Sequence, residues 1–223
     1  MSRTVGVYLE VGTKRTFAGS IDWPGWCRSG RRDEAALGAL AAYADRYAAV
    51  VEPLKLGFTP PASVEQLEVT ERLDGDATTD FGAPSIAPAA DAATLTAREA
   101  RRLEAILGAC WDTLDRAARG ARGRSLATGP RGGGRTREGI VEHVAGAERG
   151  YLARLGRKVD LDPDQALPQI RDRVLAELRA VVAEGVQPAG PRGGRRWSIR
   201  YYVRRAAWHV LDHAWEIEDR TGR

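Results

Sequence analysis

From Leu103 to Ile217 the apolar residues return every three or four positions in four separate runs, and nothing between those runs alternates in the manner of a strand. Each run has an apolar stripe that must be buried, and with no sheet available the stripes have only one another to cover. The segment 94–223 is therefore expected to be an all-α, up-down four-helix bundle. Its first helix opens at Thr96, with Glu99 three residues on as a capping box, and carries Leu103, Ile106, Leu107, Cys110 and Leu114. The second is expected from about Arg137 to Leu155, with Ile140, His143, Val144, Ala147 and Tyr151 on one side. The third starts near Pro168, carries Ile170, Val174, Leu178 and Val181, and stops at Gly185. Ser198 caps the fourth, which continues to about Arg220 with Tyr202, Ala206, His209, His213 and Ile217 along one stripe.

The first 75 residues follow a different rule. Val5, Val7, Leu9 and Val11 alternate as a half-buried strand does, and a second extended run covers 14–19. Pro24-Gly25 punctuates a turn from Ile21 to Trp26. A helix is expected over 33–51, with Leu37, Leu40, Ala44, Tyr47 and Val51 inward, and an extended stretch over 64–73 returns to the sheet. This portion reads as a small α+β domain. Residues 76–93, rich in Asp, Ala, Pro and Thr without periodicity, read as a linker.

Composition narrows the classes. At 223 residues and 43% hydrophobic, the chain can bury a substantial core. No basic-then-apolar leader and no apolar run of spanning length are present, so a cytoplasmic protein without a membrane partner is expected. Cys27 and Cys110 fall in different regions with no CxxC spacing, which favours reduced thiols. The net charge of +4 is too modest to argue for nucleic acid and reads as a solvated surface.

All three histidines of the chain fall on the expected helices. His209 and His213 are four apart, which puts both rings on one helix face, and His143 stands on the stripe of the second helix. Three imidazoles converging on one divalent ion leave coordination positions open, as a catalytic site does. The competing reading is a polar core network of the same rings. Glu216, three residues after His213, shares their face; it either orients an imidazole and relays a proton, or forms an ordinary pair with Arg220. A zincin is excluded because Val210 follows the first histidine of the pair, and a di-iron carboxylate site because no Glu stands three before any histidine. Gly129–Thr136 mimics a phosphate loop but follows no strand. Arg131, Arg135, Arg195 and Arg196 immediately precede the two histidine-bearing helices; they are expected either to line one end of the bundle and bind an anionic small-molecule substrate, or to serve solubility.

The run EHVAGAE, followed after another helix by RRAAWHVLDHAWEIEDR, resembles the DinB/YfiT-like bundle superfamily over roughly Thr94 to Arg223. The family's single histidine on the second helix and HxxxH pair on the fourth correspond to His143, His209 and His213. This resemblance implies a bound divalent metal, zinc or nickel, and a homodimer. Some relatives are thiol-dependent transferases or isomerases using a low-molecular-weight thiol such as mycothiol, and others have no known reaction. The expectation is thus a metal-dependent transferase or hydrolase that activates a thiol or water, the alternative being a non-enzymatic metal-binding or regulatory protein. The stretch FAGSIDWPGWCRSGRRDEAALGALAAYADRY is similar to a HicB-like domain, and with the bundle in place of that family's usual DNA-binding module residues 1–75 are expected to serve packing, dimerisation, a lid over the metal or the binding of a partner.

Overall fold

The computed structural model describes residues 4–128, 134–155, 167–184 and 196–222, the side chains of 181 and 184 excepted. Two compact units divide between Thr94 and Leu95.

The first unit is a four-stranded sheet with helices. The strands β1 (Val5–Val11), β2 (Thr16–Ser20), β3 (Cys27–Gly30) and β4 (Leu67–Asp74) lie in the order β3-β2-β1-β4. β1 pairs antiparallel with β2 and parallel with β4. The expected helix over 33–51 is broken at Tyr43 into α1 (Asp33–Ala42) and α2 (Ala44–Val51). Both are tied to the Pro-Gly turn, since Trp26 Nε1 donates to Leu40 O at 2.9 Å and Tyr47 Oη donates to Pro24 O at 2.9 Å. Strand β3 was not expected, because Cys-Arg-Ser-Gly carries no alternation to announce it.

Central strand β1 buries both of its faces, Val7 and Leu9 on one and Tyr8 and Glu10 on the other. Tyr8 lies across Gly19 so closely that a Cβ there would meet its ring at 2.6 Å. Gly19→Ala should therefore destabilise the first unit by about 1–3 kcal/mol through overpacking, read as a lowered midpoint in thermal or urea unfolding.

Glu10, fully buried, explains why residues 76–93 are not the free linker expected. Its carboxylate accepts from Thr79 Oγ1 at 2.5 Å, Ser85 N at 2.9 Å and Ile86 N at 3.1 Å, while Glu71 accepts from Ala89 N at 3.0 Å. The segment holds a short helix, α3 (Ala77–Phe81), capped by an Asp76–Thr79 box and ended by Gly82. The first unit accordingly extends through it to Thr94.

Four long helices make up the described part of the second unit. They are α4 (Ala97–Gly120), α5 (Arg137–Leu152), α6 (Leu167–Glu184) and α7 (Ile199–Arg220). Side-chain caps open α4, α5 and α7, as Thr96, Thr136 and Ser198 accept from Glu99 N, Gly139 N and Tyr201 N. Helix α4 packs on α7 and α6, and α5 packs on α6 and α7. Their interior includes Leu103, Ile106, Leu107, Cys110, Leu114, Ile140, Val144, Ile170, Val174, Leu178 and Tyr202.

The helix directions depart from simple alternation. Arg200 near the start of α7 pairs with Glu99 near the start of α4 at 2.7 Å, so those two helices run parallel. Arg171 and Arg179 of α6 meet Asp115 and Glu104 of α4 in reverse order, so α6 is antiparallel to α4. Trp111 and Ala118 of α4 bond Glu148 and Arg137 of α5 respectively, so α5 is antiparallel to α4 as well. Up-down-down-up replaces the up-down order expected. No helix among the described residues is long and apolar enough to cross a membrane.

Candidate metal centre

Because α5 and α7 run antiparallel, the first half of α5 lies against the second half of α7, and this brings the three histidines together. Their ring centroids are 4.6–5.0 Å apart in all three pairs. One nitrogen from each lies within 4.8 Å of the others, and His209 Nε2 is 3.2 Å from His143 Nε2. Two nitrogens held at about 2.0–2.1 Å by one tetrahedral ion stand about 3.3 Å apart, so this separation suits a shared cation. His209 and His213 are buried and His143 is half-buried.

Protonation favours ligation. Burial lowers the pKa of His209 well below the ordinary imidazole value, and the charges of His213, Arg205, His143 and Arg135 lower it further. Burial, followed by His213 and Arg135, lowers that of His143. Both rings are thus neutral at pH 7 and keep a lone pair for a cation. His209 Nδ1 is buried and makes no hydrogen bond among the described residues.

Glu216 bonds both His213 and Arg220. His213 Nδ1 donates to Glu216 Oε2 at 2.8 Å, which fixes the tautomer and leaves Nε2 free to bind a metal. Arg220 Nη1 donates to Glu216 Oε1 at 2.5 Å. Hydrogen bonding from His213 is the leading cause of a lowered Glu216 pKa, with Arg220 contributing, so the carboxylate stays ionised. Arg220 also donates through Nε to Ala127 O at 2.8 Å and through Nη2 to Arg135 O at 3.0 Å, anchoring the segment ahead of α5. A Cβ at position 134 would lie 2.3 Å from Arg220 Nη2, so any residue but glycine there would displace that guanidinium.

Arg135 and Arg196, the two of these four arginines among the described residues, do not lie together. Arg135 is exposed and bears electrostatically on His143 and His209. Arg196 lies at the other end, beside Trp197, whose backbone N–H donates to Arg154 O at 2.9 Å just beyond α5. It stands ahead of Ile199, the first residue of α7, from which His209 is ten residues or about 15 Å along the helix axis. For Arg135 and Arg196 the expected shared end is not found, because α5 and α7 are antiparallel, which puts these two at opposite ends. Arg131 and Arg195 lie outside the described residues.

Arg205 was not singled out by sequence. It precedes His209 by one turn, with its guanidinium 5.2 Å from the Tyr151 ring and 4.5 Å from the Trp208 ring. Both rings flank His209, at 5.9 and 6.1 Å. The i, i+4 spacing to His209 was available as a signal, but the partner ring from α5 was not.

Comparisons of the chain with family models, with curated proteins and with solved structures each found no match.

Proposed function

We propose that the second unit is a DinB/YfiT-like four-helix bundle in which His143, His209 and His213 hold a divalent metal ion, zinc or nickel, for a thiol-dependent transfer or a hydrolysis. The observation that carries this reading is the convergence of three imidazoles from two helices, two of them kept neutral by burial and one oriented by Glu216. A divalent ion bound by three neutral nitrogens lowers the pKa of a thiol or water that joins it, supplying a nucleophile at neutral pH.

The chain's own residues do the rest. Glu216 holds His213 in the tautomer that points Nε2 inward, and Arg220 holds Glu216. Burial of His209 against Tyr151 and Trp208 keeps water away from that side of the centre. We further propose that the first unit is HicB-like. Support comes from residues 16–47, where a strand, the Pro-Gly turn and a helical stretch follow one another in the order the resemblance implies, with the strand β3 standing where that resemblance has a short polar link.

Elemental analysis of the purified chain, followed by activity assays with low-molecular-weight thiols and a panel of electrophiles, tests the reading. One equivalent of zinc or nickel per chain is expected, and a stable chain that takes up neither metal would overturn it. Glu216→Gln should weaken metal affinity about 10–100-fold by loosening His213, measured by competition with a chromophoric chelator. Unchanged affinity would remove Glu216 from the site.

A further inference from the structure

We propose that Arg205, assisted by Arg135, makes the histidine centre selective for a substrate or co-substrate thiol that carries a carboxylate. This rests on the metal-centre reading above and adds the class of molecule the centre admits.

Charge balance is the first argument. Glu216 is the anion whose charge bears on His143, and Arg220 already neutralises it. Arg205 and Arg135 both raise the positive potential there, and no ion pair engages either of them among the described residues. A divalent ion on three neutral imidazoles would add two further positive charges. A centre so charged favours an anionic ligand.

Geometry supplies the second argument. Arg205 is held between the faces of Tyr151 and Trp208, contacts that fix a guanidinium without consuming its N–H donors. Its Nη1 is closed off from solvent and has no hydrogen-bond acceptor among the described residues. A buried, charged donor left unpaired is costly, and a planar guanidinium fork matches a carboxylate. Arg135, exposed on the segment that Arg220 anchors, is placed to attract the anion from solvent. Lysine at position 205 would keep the charge but lose the planar stacking.

The test uses the full chain loaded with Co²⁺ and two thiols of equal length, 3-mercaptopropionate and the neutral 3-mercapto-1-propanol. Each is titrated at constant ionic strength while thiolate-to-cobalt absorption is followed. The carboxylate thiol should bind at least about tenfold more tightly, the worth of one charge-assisted hydrogen bond. Arg205→Gln should bring the ratio close to one, and Arg135→Gln should lower it by a smaller factor. Equal affinities for the two thiols in the unmodified chain overturn the inference without reference to any variant, as does a preference that survives Arg205→Gln. Failure of the chain to bind Co²⁺ overturns the metal-centre reading itself, a result distinct from cobalt bound with no charge preference.

Discussion

His209→Ala is expected to abolish stoichiometric metal binding. His209 sits at the junction of the other two rings, 3.2 Å from His143 through Nε2 and 4.6 Å from His213 between ring centroids. A cation that loses one of three protein ligands loses roughly a third of a binding free energy on the order of 10 kcal/mol, which is more than a hundredfold in affinity. Two measurements separate this from the competing picture of a hydrogen-bonded core. Metal per chain, by elemental analysis, should fall from near one to near zero. Added Zn²⁺ should raise the unfolding temperature of the unmodified chain, since a ligand that binds only the folded state stabilises it, and should leave His209→Ala unmoved. If the rings served only as a polar core, Zn²⁺ would shift neither protein and the substitution would cost stability alone.

The helices and their starts could be read locally because caps are local. Thr96 with Glu99, and Ser198 ahead of α7, act within three residues, and the structure has both. The histidine spacing was legible for the same reason, with four residues making one turn. What escaped depends on partners far apart in the chain. Nothing in Glu10 announces that it bonds Thr79, Ser85 and Ile86, so 76–93 read as a linker from its composition. The direction of α5 relative to α7 decides whether Arg135 and Arg196 meet, and apolar periodicity carries no sign of direction. Of the stripe expected on α5, Ile140 and Val144 are buried, whereas His143, Ala147 and Tyr151 are half-buried. Ile140, Val144, Glu148 and Leu152, spaced by four, are all buried, because α4 and α6 flank that helix as well as α7. The charge at Glu148 hid the second half of the buried arc.

That glutamate gives the second large effect. Glu148 is 1% exposed, its Oε1 accepts from Trp111 Nε1, and its Oε2 has no partner among the described residues. Burial pushes its pKa up to about 7, against the opposing influences of Arg171 and the Trp111 hydrogen bond, with Asp115 adding to the rise. Arg171 directs Nη1 to Asp115 at 2.8 Å, and its Nε and Nη2 bond to nothing among the described residues, so no guanidinium fork closes on Glu148. A carboxyl whose folded pKa lies above its unfolded value of 4.5 holds its proton more tightly in the folded state. Stability from this group is complete below about pH 4.5, falls as pH rises towards 7, and is lost above it, a span of about 3 kcal/mol. Glu148→Gln keeps an acceptor for Trp111 and never ionises. It should match the unmodified chain near pH 4 and exceed it by up to about 3 kcal/mol at pH 8, read from urea unfolding followed by helical circular dichroism. An ionised Glu148 paired with Arg171 predicts the opposite sign, with the glutamine variant weaker at pH 8 because it strands a buried guanidinium.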